Sequence, residues 1–318
     1  MITCIYHRVD LDGQSSAAIV KHKYKNQDIP LNFVGYHYGD KVPWDDINKS
    51  EIVIMSDISF PPKDMLKLKE EESLKLFWID HHESAIKDSI KHGYSDLSGI
   101  RNDKYAACEL TWYFLFKNKI PLAINYLGAY DCGRSKTFPE DERLKILHFQ
   151  YGCRYQIDSH NDFPNWFFDY NSKDDIKNWT DLGHILFNSE KQRVQDLYYN
   201  NSSECNIKYN GEKYKCKIIN SQRVNPSNFG IDYNKDGYDC LISYFYSKDT
   251  LNASIYTEKD DLDVSLIAKA MGGGGHKQAS GFIIKTHDKN LMKKLKDELY
   301  LVNENKINLS AKIKERLK

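Results

Sequence analysis

Histidine and aspartate side chains recur at the ends of successive predicted β-strands in the first half of the chain. They are His7, Asp10 and Asp12, then Asp57, and then the triplet Asp80-His81-His82. The carboxyl ends of strands in a parallel sheet lie side by side, so we expect these side chains to converge. Mixed carboxylate and imidazole ligands suit divalent metals such as Mn²⁺, and a bridging carboxylate suits two ions. The pattern predicts a two-metal centre of the kind that hydrolyses phosphate esters.

Each of these motifs taken alone also has a structural explanation. Asp10 and Asp12 could belong to a polar loop with a helix cap, because aspartate is common at helix N-termini. Asp57 could likewise cap the next helix, and adjacent histidines such as His81 and His82 occur on ordinary surfaces. The joint occurrence of the motifs, each at a strand end, favours the metal-binding interpretation.

The elements that must position these residues alternate between strand and helix. Apolar runs predict strands over 2–6, 31–36, 52–55 and 74–79, and helical patterns cover 15–25, 61–72, 106–116 and 121–130. This alternation is typical of a parallel α/β sheet. The fold class expected for the first part is therefore α/β with a parallel sheet.

The remainder of the chain predicts a smaller, mixed α/β domain. Asn210-Gly211 is a hairpin-turn signal between strands, further strands are expected over 240–245, 251–256 and 282–285, and helices over 264–271 and 290–301. The predicted domains are a catalytic domain over 1–160, a helical linker over 161–205 and a substrate-binding domain over 206–318. We expect the active site in the cleft between the two domains.

A glycine-rich motif over 272–281 interrupts this second domain. Glycines let a backbone approach a ligand closely and turn its N–H groups toward phosphate oxygens. A flexible loop or a tight turn between helix and strand explains the same residues, and both interpretations stay open on the motif alone.

Composition narrows the class of protein. The length of 318 residues favours two domains. No apolar run suits a membrane helix, no secretory signal is expected, and seven cysteines without a Cys-x-x-Cys pair favour a reducing, cytoplasmic setting. The 45 basic and 45 acidic residues balance to zero, whereas proteins that wrap long nucleic acid usually carry a basic excess. We expect a short phosphorylated substrate and neither a membrane nor a stable complex with long nucleic acid.

The acidic and histidine motifs resemble those of a known family. The series His7-x-x-Asp10-x-Asp12, Asp57, Asp80-His81-His82 and Asp131 resembles the four motifs of the DHH phosphoesterase superfamily. The segment Gly272-Gly273-Gly274-Gly275-His276-x-x-Ala279-Ser280-Gly281 resembles the signature of the DHH-associated C-terminal domain. The resemblance covers roughly residues 1–135 and 205–300. It implies an enzyme of the oligoribonuclease or nucleotide phosphodiesterase type.

The resemblance also implies a role for each residue. It implies two divalent ions, with Mn²⁺ expected and Mg²⁺ or Co²⁺ as alternatives. The implied ligands are His7 and Asp10 for the first ion, Asp12, His81 and Asp131 for the second, and Asp57 as a bridge between them. Asp80 would orient His81, and His82 would face the scissile phosphate or its leaving group. The implied substrate contacts are Gly273, Gly274, Gly275, His276 and Ser280, with Arg134 as a further phosphate contact.

Several substrates are compatible with this site. The leading hypothesis is hydrolysis of short oligonucleotides to mononucleotides by metal-activated water. A cyclic dinucleotide or a 3′-phosphorylated adenosine nucleotide is the alternative, and a non-catalytic nucleotide-binding regulator is a third class. An inorganic pyrophosphatase is disfavoured by the glycine–histidine motif. RNA or DNA preference, cleavage polarity and oligomeric state are not predicted by the sequence.

Overall fold

The chain forms two structural units, Met1–Asn188 and Ser189–Lys318, in a computed structural model. The structure describes residues 1–209, 211–222, 224, 229–247 and 250–285. The division falls inside the 161–205 segment predicted as a linker, within a continuous helix, and the predicted domain limits at 160 and 206 stay predictions. The helix predicted over 290–301 lies outside the described residues.

The first unit contains a five-stranded parallel sheet, as the α/β prediction requires. The strands are β1 (Ile2–His7), β2 (Leu31–Tyr36), β3 (Ile52–Ser56), β4 (Lys75–Asp80) and β5 (Gly99–Arg101). Their order is β2-β1-β3-β4-β5, with every neighbouring pair parallel. The winding of the chain reverses between β1 and β3, so the carboxyl ends of these strands flank a crevice. In open α/β sheets such crevices bind ligands.

The helices up to residue 200 are α1 (Leu11–Tyr24), α2 (Trp44–Ile47), α3 (Pro62–Glu70), α4 (Glu83–His92), α5 (Ala107–Phe116), α6 (Leu122–Asp131), α7 (Glu140–Gln156) and α8 (Lys173–Asn200). Both faces of the sheet are covered, one by α1 and α5 and the other by α3 and α4. One face packs Met55 and Trp78 with Met65 of α3, and the other face packs Ile54 with Val20 of α1. Burial on both faces explains why these strands are continuous apolar runs in the sequence.

The second unit is a mixed α/β arrangement, as predicted. Its six-stranded sheet has the order β10-β11-β9-β8-β7-β6, with one parallel pair, β7 and β8. The elements are β6 (Ser202–Tyr209), β7 (Glu212–Asn220), β8 (Cys240–Ser247), β9 (Thr250–Tyr256), α9 (Val264–Ala270), β10 (Gly274–His276) and β11 (Ala279–Lys285). The predicted hairpin between β6 and β7 is confirmed, and Gly211 has the left-handed φ of 89° that its turn requires.

The glycine-rich motif forms the edge of the second sheet. Gly274–His276 pairs antiparallel with β11, with Gly275 opposite Ser280. A Cβ atom at Gly273 would overlap the carbonyl oxygen of Gly281, so the close approach of these two backbones requires glycine there. Among the described residues, none of the helices has the length and apolar character needed to cross a membrane.

Candidate metal centre

The turn between β1 and α1 carries the first group of predicted ligands. Asp10 caps α1, and its Oδ1 accepts a hydrogen bond from the Gly13 amide at 2.9 Å. A Cβ atom at Gly13 would overlap the carbonyl oxygen of His7, so the helix can start this close to the strand only with glycine at that position. The helix begins at Leu11 rather than at the predicted residue 15, which holds His7, Asp10 and Asp12 in one tight turn.

His7, Asp10 and Asp57 form one group of ligand atoms close enough together to hold a metal ion. The Nδ1 atom of His7 contacts Asp10 Oδ2 and lies 3.4 Å from Asp57 Oδ2. The other ring nitrogen, Nε2, lies 3.1 Å from Nδ1 of His37. Nδ1 is therefore the imidazole atom of His7 that faces the carboxylates.

Asp12, His81 and Asp131 form a second such group. His81 Nε2 lies 3.4 Å from Asp12 Oδ2, 3.4 Å from Asp131 Oδ2 and 3.2 Å from Asp57 Oδ1. Asp131 comes from the end of α6 and His81 from the end of β4, so residues far apart in sequence meet at one nitrogen atom.

The N-terminus of α5 orients Asp12. The backbone amides of Ala107 and Cys108 donate hydrogen bonds to its two carboxylate oxygens, at 2.9 and 2.7 Å. Free N–H groups at a helix N-terminus favour a negative charge. The sequence predicted this helix but not its contact with Asp12, because backbone donors leave no mark in residue type.

Asp57 joins the two groups. It is 1% exposed and has a left-handed φ of 63°. Its Oδ2 faces His7, while its Oδ1 lies 3.2 Å from His81 Nε2 and 3.8 Å from His82 Nδ1. Oδ1 is buried and has no hydrogen-bond partner among the described residues. The carboxylate predicted as a bridge thus lies between the two groups.

Asp80 differs from its predicted role. Its Oδ1 lies 2.7 Å from His82 Nδ1 and accepts hydrogen bonds from the backbone amides of His81 and His82. Its Oδ2 accepts a hydrogen bond from the indole N–H of Trp78. The ring that Asp80 orients is therefore that of His82, not that of His81 as expected. Burial lowers the pKa of His82, but the hydrogen bond and the negative charge of Asp80, together with the charge of Asp12, outweigh it, and the net shift is upward.

The donor set fits two divalent cations. Burial and the Asp12 carboxylate raise the pKa of Asp57 well above its usual range, and they raise that of Asp131 to about 7. Carboxylates this close together, with Asp12 and Asp57 buried and Asp131 more exposed, are unfavourable unless cations offset their charge. Oxygen and imidazole donors suit ions such as Mn²⁺. The two groups could each hold one ion, with the orphaned Oδ1 of Asp57 available for the second.

The residues predicted to bind substrate lie apart from one another in the chain. The Arg134 guanidinium forms a bidentate ion pair with the buried Glu109, with N–O distances of 2.6 and 3.1 Å. This contact stabilises the turn that follows Asp131. The phosphate contact predicted for Arg134 stays a prediction. So do the roles of Gly273, Gly274, Gly275, His276 and Ser280, all of which belong to the second unit.

Sequence reasoning missed two neighbours of the centre, His37 and Tyr38. Both follow β2, which pairs with β1 in parallel, so their strand end must lie beside that of His7. The His37 ring stacks near that of His7, with centroids 5.3 Å apart. The Tyr38 ring lies 5.8 Å from His7 and 6.2 Å from His82. The end of β2 follows the same rule as the ends of β1, β3 and β4, so the sequence alone could have indicated these two residues.

Comparison with known proteins supports the fold. No protein-family model matches the chain. A solved DHH domain, described as a member of the s1p family of ribosomal proteins, is similar with a TM-score of 0.54 and 13% identity, over 93% of this chain and 86% of that one. The chain has a DHH-domain fold. The expected two-part α/β architecture is thus confirmed, and at this identity the similarity is one of fold.

Two other comparisons are more distant or less informative. Uncharacterized protein R106 of Acanthamoeba polyphaga mimivirus is 23% identical over an alignment 296 residues long, which covers 87% of this chain and 66% of that protein. The match thus spans just under two thirds of the length of that relative. The pGpG-specific phosphodiesterase PggH from Vibrio cholerae is similar to the DHH-fold chain over 99% of each chain, with 14% identity and a TM-score of 0.47.

Proposed function

We propose that this chain is a metal-dependent phosphodiesterase that hydrolyses short oligonucleotides to mononucleotides. The observation that carries the proposal is the joining of two metal-ligand groups by one buried carboxylate, Asp57. Two metal ions about 3.5–4 Å apart are the arrangement that many phosphatases and nucleases use. The position of the groups at the reversal of strand order is also where an open α/β sheet binds a ligand.

The side chains have separable roles in this proposal. His7, Asp10 and Asp57 would hold one cation, and Asp12, His81 and Asp131 the other, with Asp57 shared. When bound, such ions, Mn²⁺ first among them, polarise phosphoryl oxygens and make hydroxide available near neutral pH. The amides of α5 keep Asp12 in the orientation that this ligand set needs.

His82 is the proposed proton donor to the leaving oxygen. Asp80 accepts a hydrogen bond from the Nδ1–H group of His82 and favours the protonated form of the ring. The protonated ring also carries a proton at Nε2, which it can donate. The His82 side chain is about one third exposed, so a substrate can reach it, whereas Asp80 is fully buried. Asp80 therefore acts through His82, by fixing the orientation and charge of the ring.

The preference for short substrates rests on charge. The chain has no net charge, whereas long single strands are usually held by basic grooves that follow the backbone. The glycine-rich motif, with His276 and Ser280, is proposed to bind the nucleotide. A cytoplasmic setting, in which the cysteines stay reduced, belongs to the same proposal.

The test is turnover of labelled diribonucleotides and of long single strands by the purified full chain with Mn²⁺. We expect the dinucleotide to be the better substrate and chelation to abolish turnover. Asp57→Asn should lower kcat/KM about a thousandfold, because the shared ligand contributes several kcal/mol to stabilising the transition state. The exposed Asp28→Asn is the matched control. Metal-independent turnover, or equal loss in both variants, would contradict the proposal.

A further inference from the structure

Tyr38 presents an aromatic ring to solvent beside the metal centre. Tyr38 lies two positions beyond the end of β2, at the crevice where the strand order reverses. The ring centroid lies 5.8 Å from that of His7, in the first ligand group, and 6.2 Å from that of His82. Tyr38 is 48% exposed, whereas Tyr36, at the end of the same strand, is 3% exposed. Its ring is therefore not part of the core.

The segment that carries Tyr38 is tied down on both sides of the residue. Asp40 forms an ion pair with Arg8, accepts the His37 amide at 2.8 Å, and accepts the Tyr36 hydroxyl on its carbonyl oxygen at 3.1 Å. A ring held in place before binding loses little conformational freedom when a ligand arrives.

The phenol of Tyr38 is uncharged at neutral pH, so its exposed ring offers a ligand an uncharged aromatic surface. A nucleobase recognises such a surface by stacking, and every base has a flat face that can do so.

We propose that Tyr38 is the stacking platform for the base of the nucleotide whose phosphate occupies the metal centre. This inference rests on the proposed function and deepens it, because it names the substrate class. Tyr38 selects phosphate esters that carry a nucleobase over pyrophosphate, polyphosphate and sugar phosphates, all of which the metal ligands alone would accept. The base is joined to its phosphate through one sugar, which matches the placement of the ring directly beside the ligand groups.

Binding of AMP and of ribose 5-phosphate, measured by calorimetry on the Mn²⁺-loaded full chain, tests the platform without requiring turnover. The two probes differ only in the base. We expect wild type to bind AMP about 5- to 100-fold more tightly than ribose 5-phosphate, the range of base–aromatic stacking. Tyr38→Ala should remove that difference and leave ribose 5-phosphate affinity unchanged, and Tyr38→Phe should keep it.

Turnover then separates this inference from the proposed function. With a diribonucleotide, Tyr38→Ala should raise KM by a factor similar to the loss of AMP affinity and change kcat little, because stacking stabilises the ground state and the transition state alike. Equal affinity of wild type for the two probes would overturn the inference, as would a Phe variant as weak as the Ala variant. Absence of wild-type turnover together with a retained AMP preference would contradict the proposed hydrolysis and leave the platform standing.

Discussion

Asp57 holds a left-handed backbone conformation while its carboxylate is buried among other carboxylates. A residue in such a conformation costs roughly 1–3 kcal/mol, although aspartate and asparagine tolerate it better than most. Burial of an acidic group beside Asp12 and Asp10 adds to that cost. Local strain of this kind persists where the surrounding structure enforces it, and here the enforced residue is the one that joins both ligand groups.

Asp57→Asn should stabilise the metal-free protein at pH 8 and weaken Mn²⁺ binding. The raised pKa means that the folded state keeps a proton after the unfolded carboxyl has lost it, so the free energy of unfolding falls as pH rises between the two pKa values. Asparagine accepts the same backbone conformation and carries no charge. Urea unfolding of the two metal-free proteins at pH 5 and pH 8 tests this. At pH 8 the free energy of unfolding of the variant should exceed that of wild type by about 1 kcal/mol.

The same measurements with Mn²⁺ provide the contrast. Wild type should gain stability from the ion, and the variant should gain much less, because it loses a carboxylate that belongs to the first group and lies 3.2 Å from His81 of the second. Identical pH dependence of unfolding in the two metal-free proteins would show that the Asp57 carboxylate carries no cost.

Asp80→Asn should alter the pH profile of catalysis. Because Asp80 raises the pKa of His82, the ring stays protonated to higher pH, and activity that needs the imidazolium is lost as pH rises through that pKa. The neutral side-chain amide of asparagine stabilises the protonated His82 ring less than the carboxylate does. We therefore expect the alkaline limb of kcat/KM to move to lower pH and kcat to fall by about 10- to 100-fold. An unmoved alkaline limb would remove His82 from the role of proton donor.

At the scale of elements, apolar periodicity predicts what is buried and not what a backbone atom contacts. The strands β1 to β4 are evident because both faces are covered and each is an apolar run. In contrast, α4 and β5 were missed. Of the residues of α4, only Ala85 and Ser89 are buried, and β5 has three residues, too few to show a pattern. The strand-end rule placed His7, Asp57 and His81 near one another, but Asp131 lies at the end of α6, and the register of the turn that starts α1 needed the structure.

Gly13→Ala should disrupt that turn. The added Cβ would overlap the His7 carbonyl oxygen, so either the strand end or the first turn of α1 must move. We expect a loss of about 1–3 kcal/mol in the free energy of unfolding, the usual cost of overpacking, with weaker Mn²⁺ binding because His7 and Asp10 shift relative to one another.

Gly39→Ala is the control for this substitution. Gly39 has a left-handed φ of 94° but open space around its Cβ position, so alanine there meets only the backbone penalty. Thermal unfolding with and without Mn²⁺ should show a larger effect at Gly13 on both stability and metal-induced stabilisation. A loss of metal-induced stabilisation in the Gly39 variant alone would contradict the close-approach argument.

At the scale of the whole molecule, charge balance should govern substrate length. The 45 acidic and 45 basic side chains cancel, and the acidic ones include the carboxylates of the candidate metal centre, whose charge bound cations would offset. Each phosphate held by a lysine or arginine releases counterions, so the logarithm of the binding constant falls with the logarithm of salt by about 0.7 per contact on a single strand. A protein that grips few phosphates should show a shallow dependence.

Steady-state KM for a diribonucleotide should therefore change little between about 50 and 200 mM salt, with a slope of about 2 or less on logarithmic axes. Mn²⁺ is kept saturating, so that salt acts on the substrate and not on the ions. A long single strand measured in parallel should bind no more tightly than the dinucleotide at either salt concentration. A steep slope for the long strand, combined with tighter binding at low salt, would reveal a basic groove that the net charge conceals, and would replace the short-substrate proposal with a processive nuclease.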